Sequence, residues 1–221
     1  MRLGVFGGTF DPIHVGHFAL VERLMARFGF DRFMFVPAHV PPHKQSRRIT
    51  HPCHRVAMLA LATDGHEELV LSTTELDSDP PHYTVDTVAK LHARYPEADP
   101  IYFVMGADSF EDLTGWRDYL RLVESCHIIV TARPGYDLDA DHLPEDVRQR
   151  IVDLRETPIE TPVPEPGEGE RTRIYLTADS FVDLSSTEVR ERARDGRSLD
   201  GLVPGAVADY ISKQELYSEH S

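Results

Sequence analysis

The sequence predicts an α/β fold: a doubly wound parallel sheet with helices on both faces, ending in a C-terminal helical segment. Three observations carry this prediction. Short apolar runs alternate with segments of helical period along most of the chain. The first run is joined to its helix by a glycine-rich loop, GGTFDPIHVGH, and two more helical segments follow the last strand, so the tail packs back on the same domain.

In chain order, RLGVF at 2–6 reads as a short buried strand. Apolar Phe18, Val21, Leu24, Met25 and Phe28 then repeat at helical spacing over Val15 to Phe28. A strand at Arg32 to Val36, a helix at about Pro52 to Ala62, a strand at Leu69 to Ser72 and a helix at Thr84 to Tyr95 continue the alternation. Strands at Ile101 to Met105 and His127 to Thr131 follow. TPIETPVPEPGEGE, 157–170, is too rich in proline and acid for a helix or a central strand and reads as an exposed loop. After it come a strand at Arg173 to Leu176, a helix within DLSSTEVRERARDG, and a last helix near Pro204 to Gln214. In such a fold ligands bind at the carboxyl ends of the strands, so the loops there are the places to search.

The chain has 221 residues, 41% hydrophobic and 27% charged, which suits one large domain spanning 1–221. It shows neither the flanks of a signal peptide nor an apolar run near the roughly 20 residues of a membrane helix, so a cytoplasmic protein is expected. A net charge of -14 argues against general binding to nucleic acid or an anionic membrane, because a polyanion is repelled at long range. An anionic ligand therefore needs a locally basic pocket. The two cysteines, Cys53 and Cys126, are read as buried thiols. A homo-oligomer is left open.

GGTFDPIHVGH lies between a strand and a helix, where backbone amides and the helix N-terminus can converge on an anion. Gly7 and Gly8 permit close approach. His14 and His17 are spaced i, i+3 where the helix begins, and Gly16 between them carries no side chain to obstruct a shared ligand. The string is neither GxGxxG nor a P-loop. Near the other end, LSSTEVR at 184–190 starts a helix, with Ser185 and Glu188 placed as a capping box. Ser185, Ser186 and Thr187 expose hydroxyls and amides, and Arg190 lies one turn later.

The first string resembles the HxGH signature of the nucleotidyltransferase superfamily, and LSSTEVR resembles its SSTxxR pattern. The resemblance implies a Rossmann-like fold and transfer of a nucleotidyl group from a nucleoside triphosphate. It places ATP against Gly7, Gly8, Thr9, Phe10, His14, His17, Gly106, Asp108, Ser185, Ser186, Thr187 and Arg190. Three further stretches, HVPPHK, PHYTVDT and GADSFEDLTGW, resemble the nicotinate-nucleotide adenylyltransferases, as does LVPGAVADYI in the tail. The implied reaction joins nicotinate mononucleotide to AMP, with magnesium carried by ATP. His14, His17, Lys44 and Arg190 are the implied catalytic group, and Lys44, Thr84, Trp116 and Arg133 the implied acceptor side. The phosphopantetheine adenylyltransferases and a non-catalytic nucleotide-binding regulator are the competing readings.

Each residue also has its own physics. Thr84 is placed to cap the helix of YTVDT, whose free amides suit a carboxylate. Trp116, the only tryptophan, is either a stacking platform for a pyridine ring or part of the core. Asp108 follows a strand and either accepts from a ribose or caps the next helix. Lys44, Arg47 and Arg48 form the one basic cluster, and the sequence does not choose between the arginines. His39, His43, His51 and His54 lack the spacing of a structural zinc site, so no protein-held metal is expected.

Overall fold

The computed structural model describes residues 1–39, 49–77, 82–98, 100–132, 138–164, 166–167, 169–178 and 184–218. Its strands are β1 (Leu3–Gly8), β2 (Arg32–Pro37), β3 (Leu69–Leu71), β4 (Ile101–Gly106), β5 (Cys126–Thr131), β6 (Ile151–Asp153) and β7 (Ile174–Thr177). The helices are α1 (Val15–Phe28), α2 (Pro52–Ala62), α3 (Thr84–Arg94), α4 (Ala107–Glu111), α5 (Tyr119–Ser125), α6 (Glu145–Arg148), α7 (Ser186–Arg194) and α8 (Gly205–Lys213). Every expected element is present to within a few residues. The edge strand β6 and the short helices α5 and α6 were not expected, because segments of three to seven residues are too short to display a period.

The seven strands form one sheet in the order β3-β2-β1-β4-β5-β7-β6, with every neighbouring pair parallel. Side chains alternate between its faces, as a strand period of two requires. Val5, Met34, Phe103, Ile128 and Leu176 pack with α3, α4, α5 and α6 on one face. Phe33, Phe35, Tyr102, Val104 and Ile129 pack with α1, α2, α7 and α8 on the other. The C-terminal helices thus lie beside α1 and α2.

Aromatic packing on that second face is close enough to dictate a glycine. A Cβ on Gly4 would lie 2.5 Å from the ring of Phe33, so only hydrogen fits there. The proline-rich loop at 157–170 is largely exposed where described, but it is docked. Val163 is buried and donates its N–H to the Arg27 carbonyl at 2.8 Å, while Arg27 Nη2 reaches the carbonyls of Leu154 at 3.0 Å and Thr157 at 3.3 Å. Cys126 is buried, with its thiol pushed up to about 12 by burial, whereas Cys53 is exposed. The expectation of two buried thiols fails for Cys53 because it sits in the first turn of α2, away from the sheet.

The chain runs outward from β1 through β2 to β3, then returns to place β4 on the other side of β1. That reversal opens a crevice at the carboxyl ends of β1 and β4, where Gly7, Gly8 and Gly106 end their strands.

Candidate active site

His14 is the N-cap of α1 in extended backbone, and His17 is the third residue of the helix. The His14 N–H donates to Nδ1 of His17 at 3.1 Å, and the two ring centroids lie 3.7 Å apart with their planes tilted by 34°. An accepting Nδ1 carries no proton, so neutral His17 holds its proton on Nε2 and is a donor there. Burial pushes His14 down to about 4 and His17 well below the usual imidazole range. Both rings are therefore neutral at pH 7 in this ligand-free state. The two histidines meet as the i, i+3 spacing expected.

The glycines before them are required by aromatic packing as well. A Cβ on Gly8 would lie 2.8 Å from Cζ of Phe10, and one on Gly7 3.2 Å from Cζ of Phe103. Two phenyl rings occupy the space that a side chain at either position would need. Phe10 itself has φ 47, a left-handed conformation that costs a non-glycine residue on the order of 1 kcal/mol. Its buried ring packs edge-on against Phe6, Phe35 and His17 at 5.3–5.5 Å, which offsets that cost and supports the His17 ring from below.

The two terminal motifs touch. Ser186 Oγ donates to the Pro12 carbonyl at 3.0 Å, and Arg190 Nη1 donates to the Asp11 carbonyl at 2.6 Å. Arg190 Nη2 also reaches Thr187 Oγ1 at 3.0 Å. Ser185 caps α7 by accepting the Glu188 N–H at 3.2 Å, as the capping pattern predicts.

Four residues that organise this loop went unnoticed in the sequence. Arg55, fully buried, donates to the carbonyls of Thr9 at 2.7 Å, His39 at 2.9 Å and Thr50 at 3.0 Å, and so joins the β1–α1 loop to both ends of the β2–α2 connection. Burial depresses its pKa, and the nearby Asp11 carboxylate opposes that. Asp11 is buried and accepts from Thr50 N–H at 3.1 Å and from Tyr217 Oη at 2.8 Å. The one available signal was a lone arginine on the apolar face of α2, a position that buries a charge only when it is well partnered.

On the far wall, Gly106 is the N-cap of α4 and Asp108 stands exposed in its first turn, so Asp108 is not the cap that the sequence allowed. A Cβ on Gly106 would lie 2.7 Å from Asp108 Oδ1, so the glycine lets this carboxylate fold back over the strand end. Thr84 is likewise not a cap. Tyr83 is the N-cap of α3, in extended backbone and with no side-chain cap bond, and Thr84 is the first helical residue. Buried Thr87 secures this turn by donating to Glu75 Oε1 at 2.9 Å, and burial raises the Glu75 carboxyl above its usual range. Arg117 lies over the Tyr83 ring at 4.6 Å, which brings the Trp116 turn to the start of α3. Trp116 is half-buried against the core on this face, so it has both a packed and an open side. Lys44, Arg47, Arg48 and Arg133, with His43, lie outside the described residues.

Among the described residues no three His, Cys, Asp or Glu side chains are arranged to hold a metal, and no helix is long and apolar enough to cross a membrane.

Comparison with known proteins agrees on one family. Residues 5–192 match the cytidylyltransferase-like family. A probable nicotinate-nucleotide adenylyltransferase of Pelobacter propionicus is 37% identical over 221 residues, covering 99% of each chain. One from Desulfatibacillum aliphaticivorans is 34% identical, over 98% of this chain and all of its own. In fold, the chain is similar to the Plasmodium falciparum nicotinic acid mononucleotide adenylyltransferase complexed with NaAD, with a TM-score of 0.67 at 18% identity, over 98% of this chain and 97% of that one.

Proposed function

The chain belongs to the cytidylyltransferase-like family, among its nicotinate-nucleotide adenylyltransferases, and we infer that it joins ATP and nicotinate mononucleotide at the crevice between β1 and β4. The products are deamido-NAD and pyrophosphate, a step of NAD biosynthesis. The reading is carried most by the contact of the two terminal motifs, Ser186 on Pro12 and Arg190 on Asp11, beside the paired histidines. Donors from both ends of the chain thereby face one place.

A phosphate oxygen of nicotinate mononucleotide attacks the α-phosphorus in line, and pyrophosphate leaves. The nucleophile has a second pKa of about 6 and is mostly ionised at pH 7, so no side chain need take a proton from it. The work left to the protein is holding two polyanions together and stabilising the charge that develops. His17 offers Nε2–H, fixed by the bond at Nδ1, and His14 lies in ring contact with it. Neutral rings avoid the cost of a buried cation before ATP arrives and still donate to its phosphates. Arg190, Lys44 and the turn at Ser185–Thr187 supply further donors, Asp108 takes the ATP ribose, and Gly7 to Phe10 with Gly106 present backbone.

On the acceptor side, the uncapped start of α3 at Thr84 suits the nicotinate carboxylate, the open face of Trp116 suits the pyridine ring, and Arg133 completes the pocket. Magnesium would arrive on ATP, held mainly by the substrate and water. When bound, it screens the triphosphate charge. Residues 1–221 act as one domain in this reading, and its charged, membrane-impermeant substrates place it in the cytoplasm.

The test is incubation with ATP and magnesium and, separately, nicotinate or nicotinamide mononucleotide, followed by chromatography of the dinucleotide. Product with nicotinate mononucleotide is expected. No product with either acceptor would overturn the assignment.

A further inference from the structure

Tyr217 lies in the turn after α8, near the end of the chain, yet its phenol donates to Oδ1 of Asp11 at 2.8 Å. Asp11 is only 4% exposed and stands three residues before His14. Its other carboxylate oxygen takes the Thr50 N–H and its carbonyl takes Arg190, so one residue receives the entrance of α2, helix α7 and the C-terminal turn. Bound at both oxygens, the carboxylate cannot swing; bound at one, it can.

The backbone that delivers the phenol is held against its preference. Glu215 and Tyr217 have φ values of 51 and 66, both in the left-handed region that residues with side chains rarely occupy. Such conformations persist only where surrounding contacts over-determine them. Burial and the Asp11 carboxylate both push the phenol up from its ordinary value, so it remains a protonated donor throughout the neutral range.

We propose that Tyr217 is a positioning residue of the adenylyl-transfer site, acting through Asp11 on the backbone that presents His14 and His17; the proposal rests on the function inferred above. The link from Asp11 to His14 is three residues long, and the His14 N–H in turn orients His17. A small displacement at Asp11 is therefore delivered to both imidazoles, and transfer between two bound nucleotides is sensitive to misplacement on the order of 1 Å.

The experiment compares wild type with Tyr217→Phe, which keeps the ring and removes only the hydroxyl. The readouts are steady-state kinetics for ATP and nicotinate mononucleotide, the melting temperature, and the imidazole resonances of His14 and His17 in the ligand-free protein. We expect kcat to fall by about tenfold with both KM values within a factor of about two, together with shifted His14 and His17 resonances. In the double variant with Asp11→Asn, the loss should not exceed that of Asp11→Asn alone. A lowered melting temperature with wild-type kcat and unmoved resonances would make Tyr217 merely structural and overturn the proposal. If wild type itself forms no dinucleotide, the functional reading falls, and unmoved resonances in Tyr217→Phe would still reject the positioning role.

Discussion

The backbone N–H of His14 donates to Nδ1 of His17 at 3.1 Å, and this one bond decides which nitrogen of His17 can serve a phosphate. Replacing His17 by Ala removes both the donor and the acceptor for the His14 N–H. Turnover should fall by about 10²–10³-fold, the usual loss when a preorganised donor is deleted. Pyrophosphate release in a coupled assay reads the outcome, with circular dichroism confirming that the fold survives. Near-normal turnover would exclude His17 from the chemistry.

Arg55 gives a stability prediction of a different kind. Its guanidinium spans three carbonyls on two loops, a fork that a lysine ammonium cannot reproduce. Arg55→Lys keeps the charge and strands at least one buried carbonyl, so it should destabilise the fold by about 1–3 kcal/mol in urea unfolding. Unchanged stability would show that the three bonds are not needed to hold the loops.

Trp116→Ala separates the packed from the open side of the indole. Loss of a stacking face for the pyridine ring should raise the KM for nicotinate mononucleotide by about tenfold while kcat changes little. A drop in melting temperature with an unchanged KM would assign the tryptophan to the core.

Stability should fall as the solution is acidified. His14 and His127 are each lowered to about 4 by burial, so in the folded state they stay neutral where an unfolded chain, with imidazoles near 6.5, takes up protons. The stabilisation is complete above about pH 6.5 and is lost between there and pH 4, up to about 3 kcal/mol for each group. Glu75, raised by burial, works in the opposite direction over part of that range. Calorimetry across pH 4–7 measures the slope, and His127→Gln should flatten it, since that residue lies away from the crevice, with Nδ1 bound to Arg173 N–H at 2.8 Å. A slope unaffected by the substitution would mean that His127 takes up its proton at the same pH in the fold as in the unfolded chain.

Much of this was legible because periodicity is local. Helix α1 runs from Val15 to Phe28 as its apolar spacing predicts, since a stripe of side chains one turn apart is readable without knowing what it faces. The same holds for Ser185 as a cap, a contact spanning three residues. Caps assigned to single polar residues fared worse: Thr84 is inside its helix and Tyr83 is the cap, because extended backbone at the boundary, rather than the most polar candidate, marks the end.

The sequence by itself determined the strand and helix succession and the histidine pair, both of which follow from spacing along a few turns. Only the tertiary structure decided that Gly7 and Gly8 lie under phenyl rings, that Arg55 ties two loops together, and that Tyr217 reaches Asp11 across 206 positions. Those contacts join segments whose residues carry no mutual pattern. Their pairing is set by which loops the sheet order brings to one edge, and strand order arises from the packing of the whole chain.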